Sequence, residues 1–158
     1  MISEQHSTIS ESDIWYILEN PWEKSKGEWL LATESERKET LQFIKNRLQS
    51  TKPDGFSKLW KTEDNEPIAI LGAYKAGDKR YETFLICSNH MEVHAIKLSF
   101  DMRKILKELP PRFNGFALGQ YSEAGSIHQI SWFRFLGFKH QPKGDRGNTL
   151  YYEYASKA

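Results

Sequence analysis

Residues 126–138 read Ser126-Ile127-His128-Gln129-Ile130-Ser131-Trp132-Phe133-Arg134-Phe135-Leu136-Gly137-Phe138. Apolar and ring-bearing residues crowd successive turns until Leu136, and a glycine follows. That is the pattern of a helix over Ser126–Leu136 closed by Gly137, the residue type that adopts a left-handed C-cap without a Cβ penalty. Phe138 then opens a strand by pointing its ring into a core. Trp132, Phe133 and Phe135 are expected to pack on a sheet as core residues.

Upstream, Val93–Leu109 reads as a long helix. Ala95, Leu98, Met102, Ile105 and Leu109 recur at three and four, so one face is buried, and Pro110-Pro111 is expected to terminate it. Phe113–Gln120 is a strand. Before the long helix, Phe56–Lys61, Ile68–Tyr74 and Arg80–Cys87 form three strands joined by short turns, an antiparallel meander. A helix of about four turns separates Arg80–Cys87 from Phe113–Gln120, which lets those two strands run parallel. Further upstream, Ser10 or Ser12 can cap a helix over residues 13–19 that ends at Asn20-Pro21. Trp29-Leu30-Leu31 suggests a short strand over Glu28–Ala32. Leu41, Ile44 and Leu48 mark a helix over 34–48 with acids in its first turn. Lys52-Pro53-Asp54-Gly55 is a turn. Downstream, Phe138–Gln141 and Leu150–Ala155 are strands flanking a polar turn, Lys143–Asn148. The fold class is therefore α/β: one domain over residues 1–158, with 1–9 flexible, a mixed, mostly antiparallel sheet with a central parallel strand pair, and flanking helices.

The chain has 158 residues and a formal net charge of +1. Its acids and bases are interspersed, so nucleic acid is not an expected partner. No apolar run approaches the ~20 residues of a membrane helix, so no membrane partner is expected either. The single cysteine, Cys87, excludes an intrachain disulfide and fits a reducing compartment. The first residues lack the basic and apolar regions of a signal peptide. Together these point to a cytoplasmic protein.

The order β-β-β-α-β-α-β-β after two helices, with the ending Leu136-Gly137-Phe138, resembles the GCN5-related N-acetyltransferase (GNAT) superfamily. The run Ser131–Phe138 also resembles a bacteriophage subset with a Trp-rich helix before Gly-Phe, for which a virion location would be an alternative. The resemblance implies that the parallel strands Arg80–Cys87 and Phe113–Gln120 splay apart and admit acetyl-CoA as acyl donor. The pantetheine arm would pair with the backbone at Ile86 and Cys87. The pyrophosphate would sit at the start of the long helix, where N–H groups and the helix dipole favour an anion. The family's phosphate loop is Arg or Gln, two residues, Gly, one residue, then Gly or Ala. It aligns with His90-Met91-Glu92-Val93-His94-Ala95, so His90, Val93, His94 and Ala95 become cofactor-binding candidates. Val93 stands where the family has Gly.

On the second helix the family's Asn falls on Ser126 and its Tyr, the usual general acid, on Phe133. Both are cofactor-binding candidates by position, although Phe133 carries no proton. The resemblance implies a base on the strand before the long helix, which is Glu82. Tyr121 and His128 are nearby substitutes for the acid, with Tyr121 preferred. The acceptor would be a primary amine on a small molecule or a protein, and a homodimer through the last strands is compatible with the sequence. His90 and His94 stand four apart, as zinc ligands can, but no third ligand accompanies them, and no metal is expected. Cys87 is expected to be a buried small hydrophobe. Val93 and Phe133 equally suit a second reading, a GNAT-shaped domain that has lost catalysis and serves as a binding or virion component.

Overall fold

The structure, a computed structural model, describes residues 3–5, 9–23, 31–50, 56–77, 80–112, 117–123, 127–147 and 149–154. The expected strand over Glu28–Ala32 and the turn at Lys52–Gly55 fall largely or wholly outside them, as do Ser126 and the first residues of the expected strand Phe113–Gln120. Two compact units make up the chain, Met1–Tyr74 with Phe84–Ala95, and Lys75–Thr83 with Ile96–Ala158.

The first unit opens with a short strand, β1 (Ser3–Gln5), which pairs antiparallel with Leu59–Lys61 of β2 (Phe56–Lys61). Nothing in the polar N-terminal sequence signals it; its place depends on a partner some fifty residues away. Helix α1 (Glu11–Glu19) starts at a reciprocal cap. The Ser10 hydroxyl accepts from the Asp13 N–H at 3.2 Å, and the Asp13 carboxylate accepts from the Ser10 N–H at 3.0 Å. The other Asp13 oxygen lies 3.3 Å from Lys61 Nζ, with both side chains largely buried. Helix α2 (Glu34–Ser50) is capped in the same manner by Thr33 and Glu36.

Strand β3 (Pro67–Gly77) follows a left-handed turn residue, Asn65, and pairs antiparallel with β2. The second half of β4 (Arg80–Cys87) completes this part of the sheet in the order β1-β2-β3-β4. Period-2 alternation puts Leu59, Ile70, Phe84 and Ile86 on the face that meets Ile14, Ile17 and Leu18 of α1 and Ile44 of α2, and these residues form the core. The approach is tight at Gly72, where a Cβ would stand 2.3 Å from the Phe84 ring.

In the second unit the start of β4 pairs in parallel with β5 (Ala117–Glu123), over Arg80↔Ala117, Tyr81↔Leu118 and Glu82↔Gly119. β7 (Thr149–Tyr154) lies antiparallel between β5 and β6 (Phe138–His140). Helix α3 (Met91–Arg112) runs longer than its pattern suggests and includes Pro110 and Pro111. The two prolines forfeit the N–H donors of the last turn, and the helix stops one residue after Pro111, so they limit it without ending it at once. Leu98, Met102 and Leu106 are its buried stripe in this unit.

Helix α4 (Ile127–Leu136) ends as expected: Gly137 has φ 109°, and its N–H bonds to the carbonyls of Phe133 and Arg134. Phe133 meets Trp132, Phe138 and Tyr152 in a buried ring cluster. No helix among the described residues is long and apolar enough to cross a membrane.

A loop clasp supplies a pH-dependent prediction. His140 Nε2 lies 3.0 Å from both carboxylate oxygens of Asp145, and the Tyr151 N–H donates to Asp145 at 2.8 Å. The Tyr151 N–H first, and His140 second, hold the Asp145 carboxyl below the ordinary carboxylate range. A depressed folded pKa stabilises above the unfolded value, about 3.9, and the contribution disappears as pH falls through the folded value. Asp145→Asn is therefore expected to lower the melting temperature at pH 6, by a gap that narrows as the pH falls toward 2. An equal gap at both pH values would contradict this assignment.

Candidate active site

The end of β4 is bordered by a short strap from the first unit. The Trp22 N–H donates to the Cys87 carbonyl at 3.0 Å and the Asn89 N–H to the Asn20 carbonyl at 2.8 Å, with Pro21 and Ser88 opposed between them. Pro21 is accommodated because it occupies the position that donates nothing to the ladder. The Ser88 N–H points the other way, to the Ile68 carbonyl on β3 at 2.8 Å. Backbone groups alternate along a strand. Even positions near the end of β4 therefore address β3, and odd positions, Leu85 and Cys87 among them, address the opposite edge.

The turn into α3 is closed on itself. The Met91, Glu92 and Val93 N–H groups donate to the carbonyls of Ser88, Asn89 and His90 at 3.0, 3.2 and 3.2 Å, and the His94 N–H shares the His90 carbonyl. Ser88 is fully buried, its hydroxyl donating to the Pro67 carbonyl at 2.7 Å and accepting from the His90 N–H at 3.3 Å.

Side chains fix the same turn. The Tyr16 hydroxyl is 2.8 Å from His90 Nε2 and 3.3 Å from Glu66 Oε2, while Glu66 Oε1 is 3.3 Å from His90 Nε2. The Tyr16 and His90 rings stack with planes 5° apart. Burial, then the neighbouring Glu66, raises the Tyr16 pKa, so the phenol keeps its proton at neutral pH. With its O–H directed at Glu66, the Tyr16 oxygen is left to accept from His90 in the tautomer that carries the proton on Nε2. Beside this cluster the Trp22 indole N–H donates to Glu92 at 2.6 Å.

In the second unit, Glu82 is half-buried opposite Gly119, and Tyr121 holds the position opposite Tyr151. The Trp132 indole donates to the Ser99 hydroxyl at 2.9 Å.

No protein-family model matches the chain. No curated protein matches it closely in sequence. Solved structures do match it over nearly its whole length. A GNAT-family acetyltransferase from Staphylococcus aureus aligns with a TM-score of 0.67 at 12% identity, covering 99% of this chain and 100% of that one. An acetyltransferase from Streptococcus agalactiae aligns at 0.69 and 8%, covering 96% of each chain. The fold is that of the GCN5-related N-acetyltransferases. The Campylobacter jejuni N-acetyltransferase PseH, solved with acetyl coenzyme A, aligns at 0.60 and 14% over 100% of both chains.

Set on the GNAT pattern, the expected site residues fall into distinct groups. Ile86 and Cys87 are buried on β4; alternation turns the Ile86 backbone toward β3, and the Cys87 carbonyl already receives Trp22. Leu85 is the position whose backbone addresses the outer edge. His90, in the Arg/Gln place, is held by Tyr16 and Glu66. Val93, in the Gly place, is 82% exposed, so it does not plug the turn. His94 and Ala95 are partly exposed in the first turn of α3. Phe133, in the Tyr place, is a core ring. Cys87 is buried, which pushes its thiol pKa well up and leaves it an unreactive hydrophobe. Among the described residues no three His, Cys, Asp or Glu gather as metal ligands. Glu92 lies within the loop the sequence points to, but Tyr16, Glu66 and Trp22 are not legible from the sequence as partners of this turn. Tyr16 and His90 lie 74 positions apart, and no local spacing joins them.

Proposed function

We propose that this protein transfers an acetyl or short acyl group from a CoA-type thioester to a primary amine. The observation that carries the reading is the outer edge of β4. The β5 ladder uses β4 at Arg80–Glu82, and the Trp22 strap begins at Cys87. Leu85 lies between, and its N–H and C=O suit an amide-bearing pantetheine arm laid down as a short added strand. The complex of PseH with acetyl coenzyme A, a protein of the same fold, supports the donor class.

The pyrophosphate half of CoA fits less well. The N–H groups from Met91 to His94 already bond to carbonyls of the turn, and Glu92 adds an acid there. The residues present fit the thioester arm and do not fit a pyrophosphate cradle.

Glu82 would take a proton from the acceptor ammonium. The amine lone pair then attacks the thioester carbonyl carbon, a backbone N–H of β4 polarises its oxygen, the C–N bond forms and the C–S bond breaks. The thiolate leaves and takes a proton from Tyr121, the candidate acid, and the second proton that the nitrogen sheds as the amide forms returns to Tyr121.

The test incubates the protein with acetyl-CoA and, separately, with S-acetyl-pantetheine, each at millimolar concentration, against a panel of primary amines. Amine-dependent release of free thiol is the expected result. No release from either donor with any amine would favour the non-catalytic reading, to which the core position of Phe133 already lends weight.

A further inference from the structure

The outward face of α3 is unlike an ordinary solvated helix face. Val93, Ile96 and Phe100 are 82%, 78% and 57% exposed. They stand at i, i+3 and i+7, so they form one stripe. Arg103, Lys104 and Lys107 continue it and are exposed, although Phe100 and Arg103 also rest against the Phe135 ring of α4 at 5.2 and 5.0 Å. At 3.6 residues per turn these six side chains fall within an arc of about 100°. Glu92, Asp101 and Glu108 lie outside that arc. The sequence, with its charges interspersed, shows no basic face; the helix assembles one. Exposed apolar residues scattered singly need no explanation, but an apolar stripe continued by three bases is a docking pattern.

We propose that this face docks a small acidic carrier protein that presents the acyl group on a phosphopantetheine arm. The proposal rests on the acyltransferase reading and specifies its donor. Three observations converge on that occupant. The stripe is complementary to an acidic surface that carries a few apolar residues. It begins at Val93, in the first turn after the β4 end where the arm would lie. That turn has spent its N–H groups internally, so it is poorly suited to a nucleotide pyrophosphate and indifferent to a donor that has none. A carrier-borne arm supplies the same thioester and amides and brings its own protein surface in place of the nucleotide.

The test compares the affinity of the whole protein for four probes: an acidic acyl carrier protein loaded with acetyl-phosphopantetheine, the same carrier without the arm, acetyl-CoA, and S-acetyl-pantetheine. It is repeated on the Lys104→Glu/Lys107→Glu variant, whose exposed positions leave the fold intact. Loaded carrier should bind at least tenfold more tightly than acetyl-CoA. The variant should lose at least tenfold for the carrier and nothing for S-acetyl-pantetheine. Equal carrier affinity in variant and wild type overturns the proposal, as does tighter binding of acetyl-CoA. Equal binding of the armless carrier overturns it as a donor site. Charge-dependent binding of DNA or anionic vesicles without carrier binding overturns it in favour of those surfaces. S-acetyl-pantetheine turnover separates the two readings. If it persists while the carrier fails, only the docking proposal falls. If neither donor acylates any amine, the acyltransferase reading falls as well.

Discussion

Glu82→Gln is expected to lower turnover by about 10²-fold or more, the usual scale of a positioned base. Gln keeps the size and the hydrogen-bonding capacity but cannot accept the ammonium proton. Its half-buried position on β4 makes the change mild for folding, so the melting temperature should move little. The pH profile discriminates a base from a structural residue. The variant rate should climb steadily toward the pKa of the amine, about 10.4 for a lysine-type acceptor, where the amine no longer needs the carboxylate. Full activity at pH 7 would remove Glu82 from the mechanism.

Gly72→Ala is expected to destabilise the protein, against the usual sign for such a change. In a strand interior alanine ordinarily gains about 0.5–1 kcal/mol over glycine. Here its Cβ would stand 2.3 Å from one Phe84 ring carbon and 2.4 Å from the next. Phe84 is packed among Ile14, Ile17 and Ile86, so the ring cannot retreat without disturbing the core. Overpacking of this kind costs about 1–3 kcal/mol, which outweighs the backbone gain. At this chain length each kcal/mol lowers the melting temperature by about 2–4 °C. Phe84→Leu should leave room for the new methyl, so the double variant should lose less than the sum of the single ones. Additive losses would show that the ring is not the obstacle.

What could be read from the residues was local. Leu136-Gly137-Phe138 announces a helix end because one glycine must take a positive φ there. The three strands from Phe56 to Cys87 follow from period and turn residues, and parallel β4 and β5 follow from the helix between them. Helix α3 was half legible. Ala95, Leu98, Met102 and Ile105 have the spacing of a buried stripe, but Val93, Ile96 and Phe100 have the same kind of spacing, and periodicity alone does not say which stripe meets solvent. The strap was illegible for a different reason. Asn20-Pro21 correctly marks the end of α1, and the same proline then conceals a bridge to Ser88 across 67 positions. The Tyr16–Glu66–His90 cluster joins a helix and two separate turns, so only the fold brings it together. Resemblance to GNAT proteins points to the β4–α3 turn, and the turn is held by Tyr16, Glu66 and Trp22 from segments far away in the sequence.

Both units are discontinuous in sequence, and this orders their completion on the ribosome. Ala95 is the last residue of the first unit, so that unit has all its side chains, the Ile14–Ile86 core included, once residue 95 has been made. The second unit then holds only Lys75–Thr83, and its sheet closes when β7, ending at Tyr154, slots between β5 and β6. At about 5–20 residues per second the interval is roughly 3–12 s. The outer edge of Arg80–Glu82 waits for β5, which ends at Glu123, for the first part of that interval, roughly 1–6 s, so the nascent chain carries an unpaired strand edge for seconds. Slower synthesis prolongs that exposure, and chaperones that shield strand edges would act on this protein before its second half exists.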